Sequence, residues 1–334
     1  MIQLIGREMA NPMDQRVRAF DTVTVFGGAT MDRIARSLAP PVMGASNPGT
    51  VRRVPGGVGF NAASILARLG FHVRLVSRVG NDSDGELVVS AAEAAGIGVA
   101  SIGVSEESAT AGYHAVFDDG GELLIGIADM GICDEISPEA VAPVAAAAGV
   151  NDIWVADANL PADTLAFLSL EAANAGRPFV ALTVSPAKAV RFAPLLDRTT
   201  YLFTNRREGA ALLGHRPDDP LLTTTRIASH LAATNPVKVV VTNGLAPLAA
   251  ASGGEMRSFT PLRTDVVRGV NGAGDSFAAG TIAGLAEGRT LHDAIRQGLA
   301  AAALTVEAGS IAAATFTPGA LAERIGAGAK RIAS

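Results

Sequence analysis

Apolar positions in this chain fall into two textures. Short β-branched and aromatic runs, Thr22–Phe26, Val73–Val76, Val99–Val104, Ile153–Ala156, Phe179–Val184, Tyr201–Thr204 and Val237–Val241, read as strands. Between them, Ala62–Leu69, Asp84–Ala95, Pro138–Ala148, Pro161–Ala175, Leu221–Ala233, Leu291–Val306 and Pro318–Ile325 read as helices, with Gly70 and Gly96 as stops. This alternation predicts an α/β domain on a mostly parallel sheet. Two stretches break it. Ile34–Val54 holds Pro40, Pro41 and Asn47-Pro48-Gly49 among short extended pieces; Ala111–Phe117 and Glu122–Ile127 flank Asp118-Asp119-Gly120-Gly121 as a hairpin. Together they predict a small β lid built from about 33–54 and 101–130. Its exposed faces need covering, so a homodimer through the lid is expected. Ala246–Ala250 and Met256–Thr260 form a second hairpin.

Composition narrows the class. The chain has 334 residues, 49% apolar and 18% charged, enough for one large domain over 21–334 after a loosely ordered extension over 1–20. A net charge of −5 argues against nucleic acid or an anionic membrane as the main partner. Apolar runs such as Ala140–Val150 are too short to cross a bilayer, and the first residues lack a signal-peptide core. The single Cys133 excludes an internal disulfide framework and a cysteine-based zinc site, and suits a reducing cytoplasm.

The candidate chemistry gathers at loops. Asn271-Gly272-Ala273-Gly274-Asp275-Ser276 precedes an apolar helix, Phe277–Ala286. Small residues let backbone N–H groups approach a ligand, and the helix N-terminus favours an anion. Asp275 at its mouth can take a proton from a substrate hydroxyl; the same pattern also serves as a helix cap. Thr30-Met31-Asp32 places a carboxylate beyond the first strand, at the edge where open α/β sheets bind ligands, or in an ordinary turn. Gly56-Gly57 with Asn61 in the following helix offers main chain and an amide to a hydroxyl-rich ligand, or simply packs the helix on the sheet. Asn205 and Glu208 lie on one helical face, as a capping pair or as an amide and carboxylate facing a hydrated magnesium ion.

In this order, Asp32, Gly56-Gly57 with Asn61, Asn205 with Glu208, Thr242 with Gly244, and Gly272-Ala273-Gly274-Asp275 resemble the ribokinase-like (PfkB) carbohydrate kinase family. The resemblance runs from about Asp21 to Ile325. It implies a three-layer α/β/α sheet fold with a small β-sheet lid, and phosphoryl transfer from ATP with Mg2+. Asp275 would be the base and the Gly272, Ala273 and Gly274 amides the anion hole. Thr30, Asp32, Gly56, Gly57 and Asn61 would hold the sugar. Asn205 and Glu208 would support the magnesium–phosphate region, Glu208 reaching the metal through water; Thr242 and Gly244 would border the nucleotide. No Gly-x-x-x-x-Gly-Lys-Ser/Thr loop occurs.

Within the family, Ser46-Asn47-Pro48-Gly49, Ile127-Ala128-Asp129-Met130, Asp157-Ala158-Asn159-Leu160 and Val184-Ser185-Pro186-Ala187-Lys188-Ala189 are similar to stretches of pseudouridine kinases. That likeness implies transfer to the ribose 5′-hydroxyl of pseudouridine, with Asp129, Asn159 and Lys188 near the substrate. Another nucleoside or a free sugar such as ribose or fructose is the alternative acceptor, and a non-catalytic binding protein the alternative class. Two positions depart from the pattern. Gly269 and Val270 replace an Asp-Thr pair in a region linked to monovalent-cation activation, which leaves K+ open. Phe60 stands where pseudouridine kinases tend to carry a basic residue.

Overall fold

The computed structural model describes residues 18–332. The first strand, β1 (Thr22–Phe26), leads through Gly27-Gly28 directly into two lid strands, β2 (Thr30–Ser37) and β3 (Gly49–Gly56). The chain returns through α1 (Val58–Arg68), β4 (His72–Gly80), α2 (Ser83–Ala94) and β5 (Ile102–Ser105), then completes the lid with β6 (Gly112–Phe117) and β7 (Leu123–Asp129). After a 3-10 turn come α3 (Pro138–Ala146), β8 (Asp152–Asp157), α4 (Ala162–Asn174), β9 (Phe179–Leu182) and the short α5 (Pro186–Ala189). Next are β10 (Tyr201–Asn205), α6 (Arg206–Leu212), α7 (Thr224–Thr234), β11 (Lys238–Asn243) and the hairpin β12 (Ala246–Ser252) and β13 (Glu255–Phe259). Helices α8 (Ala273–Ala286), α9 (Leu291–Ala308) and α10 (Pro318–Ile332) follow.

The large sheet has the order β13-β12-β11-β10-β9-β8-β1-β4-β5, with only β12 running against the other strands. Alternate side chains feed two cores. Ile153 and Val155 pack with α1, α8 and α9; Trp154 and Ala156 pack with α4 and α7 on the other face. This is the expected three-layer arrangement. The chain moves outward from β1 to β4 on one side and later to β8 on the other. A crevice therefore opens at the C-terminal ends of β1 and β8, the switch point where open α/β sheets take ligands.

The lid is a separate four-stranded sheet, β3-β2-β6-β7. It begins earlier than expected, at Thr30, so Asp32 lies in a lid strand. Its second half begins later: Ile102–Ser105 pairs with β4 and belongs to the large sheet, so the lid does not extend back to 101. At its base, Asp84 in the first turn of α2 accepts from both Arg33 and Arg53. Two guanidiniums from adjacent strands thus bind the lid to the large domain.

Residues 1–17 of the expected extension lie outside the described residues. At its end, Arg18 is held: its guanidinium donates to the Gly70 carbonyl at 2.6 Å and lies over the Phe71 ring. The Phe20 N–H donates to Ala286. No helix among the described residues is long and apolar enough to cross a membrane.

Helix α8 is buried along every residue from Ser276 to Ala286. Gly280 and Gly284 make this possible. A Cβ on either would come within 2.8 Å of α9, at Ala301 and Ala294 respectively, so the two helices meet backbone to backbone. The result is a rigid rod with its N-terminus in the crevice.

Candidate active site

Asp275 stands in the first turn of α8, and its Oδ2 accepts a hydrogen bond from Asn61 Nδ2 of α1 at 2.7 Å. These residues are 214 positions apart in the chain. The Asp275 carboxyl is half-buried. Burial, reinforced by the charges of Asp157, Asp32 and Glu208, outweighs the Asn61 hydrogen bond and pushes it up to about 7. Acidic side chains from β8, β2 and α6 therefore all act on the carboxyl in α8.

Gly272 caps α8 in the left-handed region, at φ 76°, and a Cβ there would meet Ile311 at 2.5 Å. The Ala273 N–H donates to the Val270 carbonyl at 3.2 Å, so it is already committed. The N–H groups of Gly272 and Gly274 meet no acceptor among the described residues. A Cβ on Gly274 would meet nothing within 4 Å. The expected anion hole thus narrows from three amides to two, with open space beside Gly274.

Among the residues expected to hold the sugar, Thr30 Oγ1 donates to Asp32 Oδ1 at 2.6 Å. Burial raises the Asp32 carboxyl, opposed by hydrogen bonds from Thr30 and the Tyr113 N–H and by the nearby His114. Gly56 and Gly57 are required by the protein itself. A Cβ on Gly56 would lie 2.5 Å from Asp32 Oδ2. Gly57 has φ 94°, and a Cβ there would lie 2.5 Å from the Gly28 carbonyl. These glycines bring α1 close enough for Asn61 to reach Asp275.

Beside β1, Asp157 ends β8 with no exposed surface. Its Oδ2 accepts from the Gly28 N–H at 2.9 Å and its Oδ1 from the Asn159 N–H at 2.8 Å. Lys188 Nζ donates to Asn159 Oδ1 at 2.6 Å, joining two expected substrate residues. Arg191 Nη1 donates to the carbonyls of Ala158, Asn159 and Leu160. The loop carrying Lys188 opens with a tight turn: Ser185 N–H donates to the Thr183 carbonyl at 2.7 Å, forcing Val184 to φ 64°. A β-branched residue there is strained by about 1–3 kcal/mol. Asp157 and Arg191 were not among the candidates read from sequence. The signal for Asp157 was a carboxylate at the end of a wholly apolar strand.

Among the residues expected near the nucleotide, Asn205 caps α6 and forms the full capping box with Glu208. Glu208 Oε1 accepts from Asn205 Nδ2 at 2.6 Å, and Oε2 from the Asn205 N–H and from the Thr183 hydroxyl. Three of about four lone-pair positions are therefore occupied. That donor set fits one outer contact to a magnesium-bound water, not direct coordination. Among the described residues no group of three or more His, Cys, Asp or Glu is placed to hold a metal ion. A magnesium ion here would rest mainly on phosphate oxygens and water. Thr242 pairs with Asn205 across β10 and β11. Gly244, at φ 56°, forms the turn after β11 and faces open space.

Asp129 and Asp275 do not line the same cleft. Asp129 lines a cleft of about 740 Å3 with Arg33, Arg53, Asp82, Asp84 and His114, and neither Asp32 nor Asn61 lines that cleft.

A model of the pfkB family of carbohydrate kinases matches residues 21–316. The chain belongs to the PfkB carbohydrate kinase family. Such enzymes are phosphotransferases acting on sugar or nucleoside hydroxyls. This PfkB kinase is 30% identical over 302 residues to the pseudouridine kinase of Escherichia coli strain K12, covering 87% of this chain and 93% of the relative. It is 27% identical over 285 residues to the ribokinase of Bacillus subtilis strain 168, covering 85% and 92%. Among solved structures, a carbohydrate kinase from Agrobacterium tumefaciens superposes with a TM-score of 0.79 at 35% identity, covering 92% of this chain and 97% of that one.

Proposed function

We propose that this PfkB kinase transfers the γ-phosphoryl group of ATP to the ribose 5′-hydroxyl of pseudouridine. The observation that carries the chemistry is Asp275, held by Asn61 at the mouth of α8 with its charge opposed by burial and by three other carboxylates. Oδ2 is engaged by Asn61, which leaves Oδ1 free to take the hydroxyl proton. A base titrating near 7 is well matched to that task at neutral pH. As the hydroxyl attacks, the Gly272 and Gly274 amides receive the charge on the transferred group. Positioning and charge neutralisation supply most of the rate in such reactions. Mg2+ would neutralise phosphate charge beside Asn205, Glu208 and Thr242, with Gly244 bordering the nucleotide. Asp32, Thr30 and the Gly56-Gly57 backbone would hold the ribose hydroxyls.

The pseudouridine assignment is supported by the local likenesses around Asn47, Asp129, Asn159 and Lys188 and by the similarity to the Escherichia coli enzyme. A ribokinase- or fructokinase-like acceptor is the second reading, favoured by Phe60 at the helix start and by the ribokinase similarity. A coupled ADP-release assay with pseudouridine, uridine, inosine, ribose and fructose separates them, run with and without K+. Pseudouridine should give the highest kcat/KM. A free sugar turning over equally well or better would move the assignment to the second reading. We further propose that the protein is a homodimer joined through the lid.

A further inference from the structure

Asp157 is a buried carboxylate that no step of the transfer uses. Both oxygens accept from N–H donors, Gly28 on one side and Asn159 on the other, and Lys188 lies beyond Asn159. Burial raises the Asp157 carboxyl; the Asn159 and Gly28 N–H groups, the Asn159 side chain and the Lys188 charge oppose this and favour the carboxylate. The site is fitted to the carboxylate in detail: a Cβ on Gly27 would lie 2.3 Å from Asp157 Oδ2, so only glycine lets β1 pass. Gly28 is the last residue but one before β2, and Asn159 is the residue that Lys188 grips.

We propose that Asp157 is a positioning residue for the transfer. Its carboxylate pins the Gly27-Gly28 turn, from which the lid strand with Thr30 and Asp32 departs, to the Asn159–Lys188 pair, and it keeps a negative charge behind the catalytic base. The inference rests on Asp275 being that base. The charged groups acting on Asp275 are Asp32 from β2, Asp157 from β8 and Glu208 from α6; Asn61 from α1 supplies the hydrogen bond. Of the three charges, Asp157 contributes most to holding the Asp275 carboxyl high.

The test is the pH dependence of kcat/KM for the acceptor in Asp157→Asn. The amide keeps the size but turns an N–H toward a donor and removes the charge. We expect kcat/KM for the acceptor to fall on the order of 10- to 100-fold, with the KM for ATP little changed. The acid limb should move about one unit lower, because Asp275 loses a repelling neighbour. A folding defect alone would not move that limb. If Asp157→Asn does not fold, Lys188→Met, on a half-buried side chain, gives the converse measurement. Losing the cation beside Asp157 should move the limb upward. An unmoved limb overturns the proposal, whatever the acceptor kinetics. Asp275→Asn measured alongside keeps the two readings apart: if it is inactive while the Asp157 variant leaves the limb in place, Asp275 remains the base and only the role of Asp157 is lost.

Discussion

Asp275 carries a cost that its proposed role as base explains. Its carboxyl lies well above the ordinary range, at about 7, because burial and like charges oppose ionisation. The folded state therefore binds a proton more tightly than the unfolded chain between the ordinary carboxylate range and about pH 7. Stability from this group is full at low pH and is lost as pH rises through 7. Asp275→Asn removes that penalty together with the proposed base. Transfer should fall about 10²- to 10⁴-fold, while Tm rises by about 2 °C or more at pH 8 and by less at pH 5. Activity assays and calorimetry at both pH values check this; a Tm that falls at pH 8 would contradict it. In the unaltered enzyme, kcat/KM should fall as pH drops through about 7. The glycines give a second prediction, because they are not equivalent. Gly57→Ala meets both a forbidden φ and the Gly28 carbonyl, and should cost at least about 1–3 kcal/mol by denaturant unfolding. Gly274→Ala meets nothing and sits in the first turn of α8, so stability should hold or rise by up to about 1 kcal/mol. Its methyl group would nevertheless crowd the open amide, and kcat should fall. Both positions were legible in the sequence as glycines near a site. Which one is packed against main chain and which stands open was not, because the atom that decides it, the Gly28 carbonyl oxygen, comes from elsewhere in the chain.

Elements were legible wherever periodicity was long and apolar. The strands β1, β8, β10 and β11 and the helices α1, α4, α8 and α9 all lie where the hydrophobic pattern places them. The lid was legible as a break in the alternation, but its limits were not. Nothing local to Ile102–Ser105 says that it pairs with β4, and nothing local to Thr30–Arg33 says that β2 starts at once after Gly28. Both are settled by partners remote in sequence. The same holds for Asp84, which reads as an ordinary acidic residue at a helix start yet fastens two lid strands. Asp84→Asn should release Arg33 and Arg53 from their shared partner. The arginines are partly exposed, so the loss of stability should be only about 1–2 kcal/mol. The larger effect falls on closure. A loosened lid admits water, so the acceptor KM should rise several-fold, and ADP released without phosphorylated product should increase. Parallel measurement of ADP and phosphorylated acceptor checks this. Unchanged coupling would show that the lid is held by other contacts.

At the scale of the whole molecule, one surface is out of keeping with a solitary chain. The pairing register sets Val51, Ala35, Val116 and Ile125 side by side across all four lid strands, so they form one apolar row on one face. Val51 is 68% exposed and Ile125 52%, and Ile127 beside them 57%. Val42, Met43 and Leu124 join this row around a hollow of about 460 Å3. A contiguous apolar face on a thin sheet, with edges β3 and β7 unpaired, is a surface that soluble proteins ordinarily cover. A second copy of the same lid is the occupant we favour: a self-complementary apolar row suits a two-fold interface, in which each residue meets its counterpart or neighbour. Covering the lid in this way would also hold it over the crevice that Asp32 enters, coupling assembly to acceptor binding. The wild-type protein should therefore run in light scattering at about twice its chain mass of 33.9 kDa. Ile125→Lys places a charge at the β7 end of the row, beside Ile127 and Leu124, and should give a folded monomer with a raised acceptor KM and an unaltered KM for ATP. A wild-type monomer at micromolar concentration, or a variant that remains dimeric, would rule out the lid as the interface.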